Sequence, residues 1–284
     1  MMVRTREPSR NTRPDEPAHA RRAVAIIIIS AHLAGGCSLF QKSDLVRTQK
    51  QRNAANKYAA GNWMERVDAV KEIVRYIGPD KNDLIFGTLM VASGDPYQQV
   101  RMEAVKGLAI VKNQECLSML RRIASSDPAD NVRWLALREL RGLGDPAAAD
   151  IFIRALDSED WLIREEAARG ITSLDKEIIR SRMIPHILKA INDPDVNVVL
   201  AVLNTITVRD PRLYRAIADR LTAGSDYSLL EASLKAINGY RLDEKTKEKV
   251  IDLLVYNNSR IRVLALRVLK SDQALVESGK KTDP

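Results

Sequence analysis

Apolar residues recur along this chain at helical spacing, and the helices so marked recur in turn. Between Asp127 and Leu140, the side chains of Val132, Ala136, Leu137 and Leu140 fall on one face of a helix. Asp127 is placed to cap it, and Pro128 suits a first turn, where a missing N–H costs nothing. With Val132 as position zero, the same helix overlays six others starting at Glu65, Val100, Ile163, Val198, Leu229 and Ile261, at intervals of 35, 32, 31, 35, 31 and 32 residues. Position four is then Ala69, Ala104, Ala136, Ala167, Val202, Ser233 and Ala265, and position eight is Ile73, Leu108, Leu140, Ile171, Ile206, Ile237 and Leu269. A small residue lets a neighbouring helix approach, and the branched one a turn later fills the space beside it.

A second set of helices is predicted between these, near residues 80–93, 114–125, 146–156, 176–191, 211–222 and 244–256, with a further one over Leu45–Ala60 capped by Asp44. Gly94-Asp95-Pro96, Gly144-Asp145-Pro146 and Asp210-Pro211 punctuate the chain where glycine can end one helix and Asp or Pro can start the next. Two helices per period of this length predict an all-α protein, an α-solenoid (superhelix) of about seven helix pairs over residues 44–270. Residues 271–284 turn polar and read as a loose tail.

The pattern resembles HEAT repeats, including the shorter bacterial variety, and the resemblance implies a right-handed superhelix whose second helices line the concave face. Asp-Pro followed by Val-Arg and Ala occurs as Asp95-Pro96, Val100-Arg101, Ala104, and again as Asp127-Pro128, Val132-Arg133, Ala136. Met183-Ile184-Pro185-His186-Ile187-Leu188 looks like the family's first helix with its proline kink, and Asn192-Asp193-Pro194-Asp195 like its inter-helix turn. The resemblance implies a ladder of Asp and Arg between adjacent units, which gives Arg66, Arg101, Arg133, Arg164 and Arg262 a structural role opposite Asp95, Asp127 and Asp193. Val199 and Leu230 break the Arg side, and Glu65 stands where an apolar residue is expected.

The amino-terminal part is of another kind. Residues 1–22 are polar and rich in Arg and Pro, and Ala23–Gly36 follows Arg21-Arg22 with no charge and four consecutive isoleucines. Fourteen residues are short for a membrane span of about 20 and match a secretory h-region of roughly 7–15. Leu33-Ala34-Gly35-Gly36-Cys37 resembles the lipobox of bacterial lipoproteins, although Ala34 stands where leucine is usual. That resemblance implies a leader over 1–36, lipidation of Cys37 and a tether over 37–43. It places the chain on the periplasmic side of a bacterial membrane, and Ser38 after the cysteine favours the outer one. An uncleaved signal anchor is the alternative. Lys42, Arg47, Lys50, Arg52 and Lys57 make the helix nearest the tether basic, so it could lie on anionic headgroups or simply cap the first repeat in solvent.

Chemistry is sparse. Beside Cys37 the one other cysteine is Cys116, which shares a face with Met119, Leu120 and Ile123 and reads as a small core residue. The histidines are His19, His32 and His186, too few and too scattered for a metal centre. With no nucleophile motif or phosphate loop, the sequence predicts a protein that is not an enzyme and needs no cofactor.

Position six of the second helices reads Lys71, Lys106, Arg138, Arg169, Asn204, Lys235 and Arg267, basic at all but Asn204. Position two adds Met102, Trp134 and Leu200 to the same face. A cationic row with apolar and aromatic neighbours suits a protein partner or an extended acidic ligand of the envelope. Glu165 and Glu231, four residues before Arg169 and Lys235, offer a plainer reading as pairs that stabilise an exposed helix. Nucleic acid binding, including a DNA-glycosylase-like solenoid, is the rival function. The chain's net charge is +8, but without residues 1–36 it keeps 39 basic against 34 acidic residues, modest for a nucleic-acid binder.

Overall fold

A computed structural model describes residues 42–78, 83–222 and 224–278, with side chains from residue 47 onward. Cys37 and its lipobox lie outside these residues, as does the leader. The chain divides into two compact units, residues 1–104 and 105–284, with the boundary inside one helix. Every regular element among the described residues is helical.

Residues up to 104 contribute α1 (Lys42–Ala60), α2 (Trp63–Arg75), α3 (Asp83–Ala92) and the first half of α4 (Gln98–Val111). Helix α1 packs on both α2 and α3, burying Gln51, Ala54, Ala55 and Tyr58 and leaving Arg52 and Lys57 partly or fully exposed. Glu65 departs from the apolar pattern because it closes a capping box. The Asn62 side chain accepts from the Met64 and Glu65 N–H groups, and Glu65 Oε2 accepts from Asn62 N–H at 2.8 Å.

From residue 105 onward α4 is followed by α5 (Gln114–Ser126), α6 (Asp130–Leu143), a 3₁₀ turn (Pro146–Ala148) running into α7 (Ala149–Ala155), and α8 (Trp161–Ser173). A three-residue α9 (Lys176–Ile178), a π-helical turn (Ile179–Met183) and α10 (Ile184–Ile191) come next. Then follow α11 (Val196–Thr205), α12 (Pro211–Ala218), α13 (Tyr227–Ile237), α14 (Glu244–Asp252) with a 3₁₀ turn (Leu253–Val255), and α15 (Ser259–Glu277). The second helices α6, α8, α11, α13 and α15 each pack on the next, and each also packs on the first helix of its own pair. This is α-solenoid stacking, and the described residues hold seven such pairs.

The register derived from the sequence matches the core. All seven residues at position four are 0% exposed. At position eight Ile73, Leu108, Leu140, Ile171 and Ile237 are buried, while Ile206, which caps α11, and Leu269 are half-buried. Asp and Asn cap most helices as expected, including Asp210 before Pro211, and Gly144 ends α6 at φ 63, a left-handed conformation that glycine adopts without strain.

Four local expectations are corrected. Asp127 does not cap α6, whose N-cap Ala129 has no side-chain bond; its carboxylate instead closes the preceding turn by accepting from Ala129 N–H at 2.9 Å. Asp44 is not a cap either, because α1 already starts at Lys42. Pro185 produces a π-helical turn ahead of it rather than a simple kink; a proline ring crowds the carbonyl four residues back, here that of Ser181, and the wider turn makes room. Ser271–Glu277 is no loose tail but the end of α15, held by Asp272, whose buried Oδ1 accepts from Leu242 N–H at 2.9 Å.

The Arg–Asp ladder forms at Arg66 with Asp95 and at Arg164 with Asp193. Arg66 Nε donates to Asp95 Oδ2 at 2.8 Å, and Arg164 Nε and Nη2 donate to the two oxygens of Asp193 at 2.9 and 3.1 Å. Each ladder arginine also turns Nη1 back to a carbonyl of its own inter-helix turn, as Arg101 does to Asp95 O, Arg133 to Asp127 O, Arg164 to Ser158 O and Arg262 to Tyr256 O, all within 2.8–2.9 Å. Ser158 stands where Arg133 would meet an aspartate of the next pair, and Arg133 pairs with its own Asp130. Where Val199 and Leu230 interrupt the ladder, tyrosines link the pairs instead. Tyr214 Oη accepts from Asp243 N–H at 2.9 Å and Tyr240 Oη from Asp210 N–H at 3.1 Å, with the two rings 5.6 Å apart.

Candidate functional site

The cationic row is built by the second helices. Position six lies two residues beyond the fully buried position four, about 200° around the helix axis, and therefore points outward. In residues 105–284 the row comprises Lys106, Arg138, Arg169, Asn204, Lys235 and Arg267, all exposed except the half-buried Arg169. Lys71, also exposed, holds position six on α2, and the half-buried Met102 holds position two on α4, both within residues 1–104.

The charges of the row are unequally available. Arg169 Nη2 donates to Glu165 Oε1 at 2.6 Å and Lys235 Nζ to Glu231 Oε1 at 2.5 Å, the helix pairs that the plainer reading foresaw. Glu231 also takes Arg260 at 2.8 Å; the hydrogen bond from Lys235 is the main cause holding this carboxyl below its usual range. The Arg138 guanidinium lies over the Trp134 ring, 5.3 Å from its centroid, with Nε a looser 3.9 Å from Glu139 Oε1. That contact leaves Arg138 charged and flattened beside a half-buried indole, a surface suited to a carboxylate next to an apolar group.

Next to the row is an open groove of about 600 Å³ that the sequence reading missed. Arg141, Thr172 and Thr207 line it from position nine of three successive pairs, with Arg169, Lys176 and Arg180 beside them. The signal was present in the same register, one column away from the row. Arg141 Nε donates to Glu166 Oε1 at 2.5 Å, and Arg180 to Glu177 at 3.2 Å. Burial raises the Glu166 carboxyl above its usual range, and the bond and charge of Arg141 offset only part of that. Thr172 and Thr205 hydroxyls meet at 2.6 Å. The groove offers hydrogen bonds and paired charges, with no nucleophile beside a base.

Other candidates resolve simply. Cys116 is 0% exposed, and burial pushes its thiol up to about 11, so it is a core residue as expected. Trp161 opens α8 and is partly exposed. Among the described residues no three His, Cys, Asp or Glu side chains gather as metal ligands, and no helix is long and apolar enough to cross a membrane.

A family model described as HEAT repeats matches residues 87–172, from α3 to α8. Exportin-2 of Dictyostelium discoideum is 21% identical over 176 residues, covering 58% of this chain, and the match spans only 17% of that protein's length. A designed armadillo repeat protein aligns with TM-score 0.41 and 14% identity over 78% of this chain and 98% of its own, and an engineered protein with TM-score 0.36 and 16% identity over 90% and 97%. The chain is thus an all-α solenoid of helix pairs, with a central stretch similar to HEAT repeats.

Proposed function

We propose that this protein is a non-catalytic binding scaffold that holds a protein partner on the exposed face of its second helices, the face that the HEAT resemblance makes concave, in the cell envelope and anchored there through Cys37. The observation that carries the binding role is the outward row at position six, with Arg138 stacked on Trp134 at its centre. The partner presents an extended acidic segment. Arg138 and Arg267 meet it first, Lys106 extends the row, and Arg169 and Lys235 exchange their own glutamates for its carboxylates. Anchoring rests on the Leu33–Cys37 motif alone.

Proteins crosslinked in intact cells to the wild-type chain provide the test. The combined Lys106→Glu, Arg138→Glu and Arg169→Glu chain is expected to stay folded, because exposed single charges usually change stability by less than about 0.5 kcal/mol each and the half-buried Arg169 gives up an i,i+4 helix pair with Glu165 of similar size. It should lose the crosslinked partner, and wild-type capture should weaken with salt, since screening acts over about 8 Å at physiological ionic strength. Trp134→Ala should weaken capture with little change in salt dependence, because the ring supplies contact area rather than charge. Full capture by the triple variant would show that the row is only a solvated face.

A further inference from the structure

Position five of the second helices is sealed in all pairs but the last. Val70, Val105, Leu137, Ala168, Leu203 and Leu234 are at most 2% exposed, whereas Leu266 of α15 is 45% exposed. The register is unchanged, since Ala265 beside it is fully buried. What differs is that among the described residues no helix pair follows α15. Leu269 at position eight is only half-buried, and Val255 of the same pair is 88% exposed.

The ladder ends on this pair in a half-made state. Arg262 donates Nη1 to Tyr256 O at 2.8 Å, the same self-bond that orients Arg164 on Ser158 O at 2.9 Å. In Arg164 the other edge of the guanidinium, Nε and Nη2, takes both oxygens of Asp193 from the following pair. Among the described residues no carboxylate meets that edge of Arg262. The pair therefore presents an oriented guanidinium next to an open leucine, the combination that interior pairs use to receive a successor.

We propose that the α14–α15 pair is a docking surface for an acidic amphipathic helix of another protein, received as a further repeat would be, with its apolar stripe on Leu266 and a carboxylate on the Nε–Nη2 edge of Arg262. Charge selects this occupant. One turn either side of Leu266, helix α15 carries Arg262 and Lys270; Arg260 is paired back with Glu231, Arg267 belongs to the position-six row, and of the acids Asp272 is buried on Leu242 N–H, leaving Glu277 at the helix end. A second copy docking by the same face would set like charges together. One docking by α1 would bring Arg47, Lys50, Arg52 and Lys57, with Ala60 at the register position of the ladder aspartate. Neither supplies the carboxylate. This surface is separate from the position-six row and does not depend on it.

A photoreactive benzoylphenylalanine at Leu266 of the full chain, with a control at the exposed Arg215 of α12, tests the proposal in intact cells. The expected adduct, absent from the control, joins Leu266 to a segment of a different protein that has apolar residues at helical spacing and an Asp or Glu within a turn ahead of them. A synthetic peptide of that segment should bind the wild-type chain and lose about tenfold or more in affinity with Arg262→Glu, the scale of one charge-assisted hydrogen bond. Exchanging the peptide's acid for Lys should restore binding to Arg262→Glu. Unchanged thermal melting of Arg262→Glu excludes misfolding as the cause. The Lys106, Arg138 and Arg169 reversals should leave the Leu266 adduct intact, so failure of one surface is distinguishable from failure of the other. An adduct to a second copy, to residues 279–284 or to lipid, no adduct, or affinity indifferent to Arg262 would overturn the proposal.

Discussion

Two small side chains show how narrowly single positions are specified. Gly170 lies in α8 against the ring of Phe152, and a Cβ there would sit 2.4 Å from two ring carbons. Helix propensity favours alanine over glycine by about 1 kcal/mol, but forcing the packed ring aside costs about 1–3 kcal/mol, so Gly170→Ala is expected to lower the melting temperature. Ser233 is the opposite case. It holds position four, where five of the seven pairs have alanine, is fully buried, and its Oγ has no hydrogen-bond partner. Ser233→Ala should therefore raise stability, by up to the roughly 1–3 kcal/mol that a buried unsatisfied group costs. Thermal melts of both variants check the pair; the same sign in both would show that burial and packing are misassigned at one of them.

At the scale of elements, helix pairs are joined by polar links that change character along the chain. Asp193 shows how one link responds to pH. Burial pushes its carboxyl upward, but the hydrogen bonds from Arg164 and from the Asp195 N–H, with the charges of Arg164 and Lys189, outweigh that and leave it below the usual range. A carboxyl depressed in the folded state stabilises above its unfolded value of about 3.9, and that stability is lost as pH falls through the folded one. Asp193→Asn is expected to cost about 1.5–3 kcal/mol near neutrality, the worth of hydrogen bonds to a charged group. Its deficit relative to wild type should begin to narrow as pH falls below about 4, the unfolded value, and close only below the depressed folded value, where wild-type Asp193 is itself protonated. A deficit that stays constant from pH 7 to pH 3 in denaturant titrations would rule out the ion pair as its source.

At the scale of the molecule, the proposed attachment rests on Cys37. A single lipid chain gives marginal membrane binding, and a basic segment supplies a second signal worth about 1 kcal/mol per charge near anionic headgroups. Helix α1, with Arg47, Lys50, Arg52 and Lys57, carries such charges close to the tether. Cells fed an alkyne fatty acid should label the wild-type chain and not Cys37→Ala, and the variant should move to the soluble fraction. An unlabelled wild-type protein would remove the envelope from the proposed function while leaving the solenoid untouched.

Sequence alone determined the repeat, because period and burial are properties of a helix face that each segment carries for itself. Ala136, Ala167 and their counterparts could be placed in the core from spacing, and so could Cys116. The cationic row could be located in the same way, since position six follows from position four by helix geometry. What the tertiary structure decided is whatever depends on a neighbour. Asp127 is as good a cap as any by composition, yet the turn before α6 engages its carboxylate; Ser271–Glu277 looks like a tail until Asp272 finds the Leu242 N–H across the pair. Which charges of the row are already paired, where tyrosines replace the ladder, and that Leu266 lies open while Leu234 is sealed are likewise matters of contact. A pattern along one chain specifies which face a side chain occupies; only the packed structure specifies what meets it there.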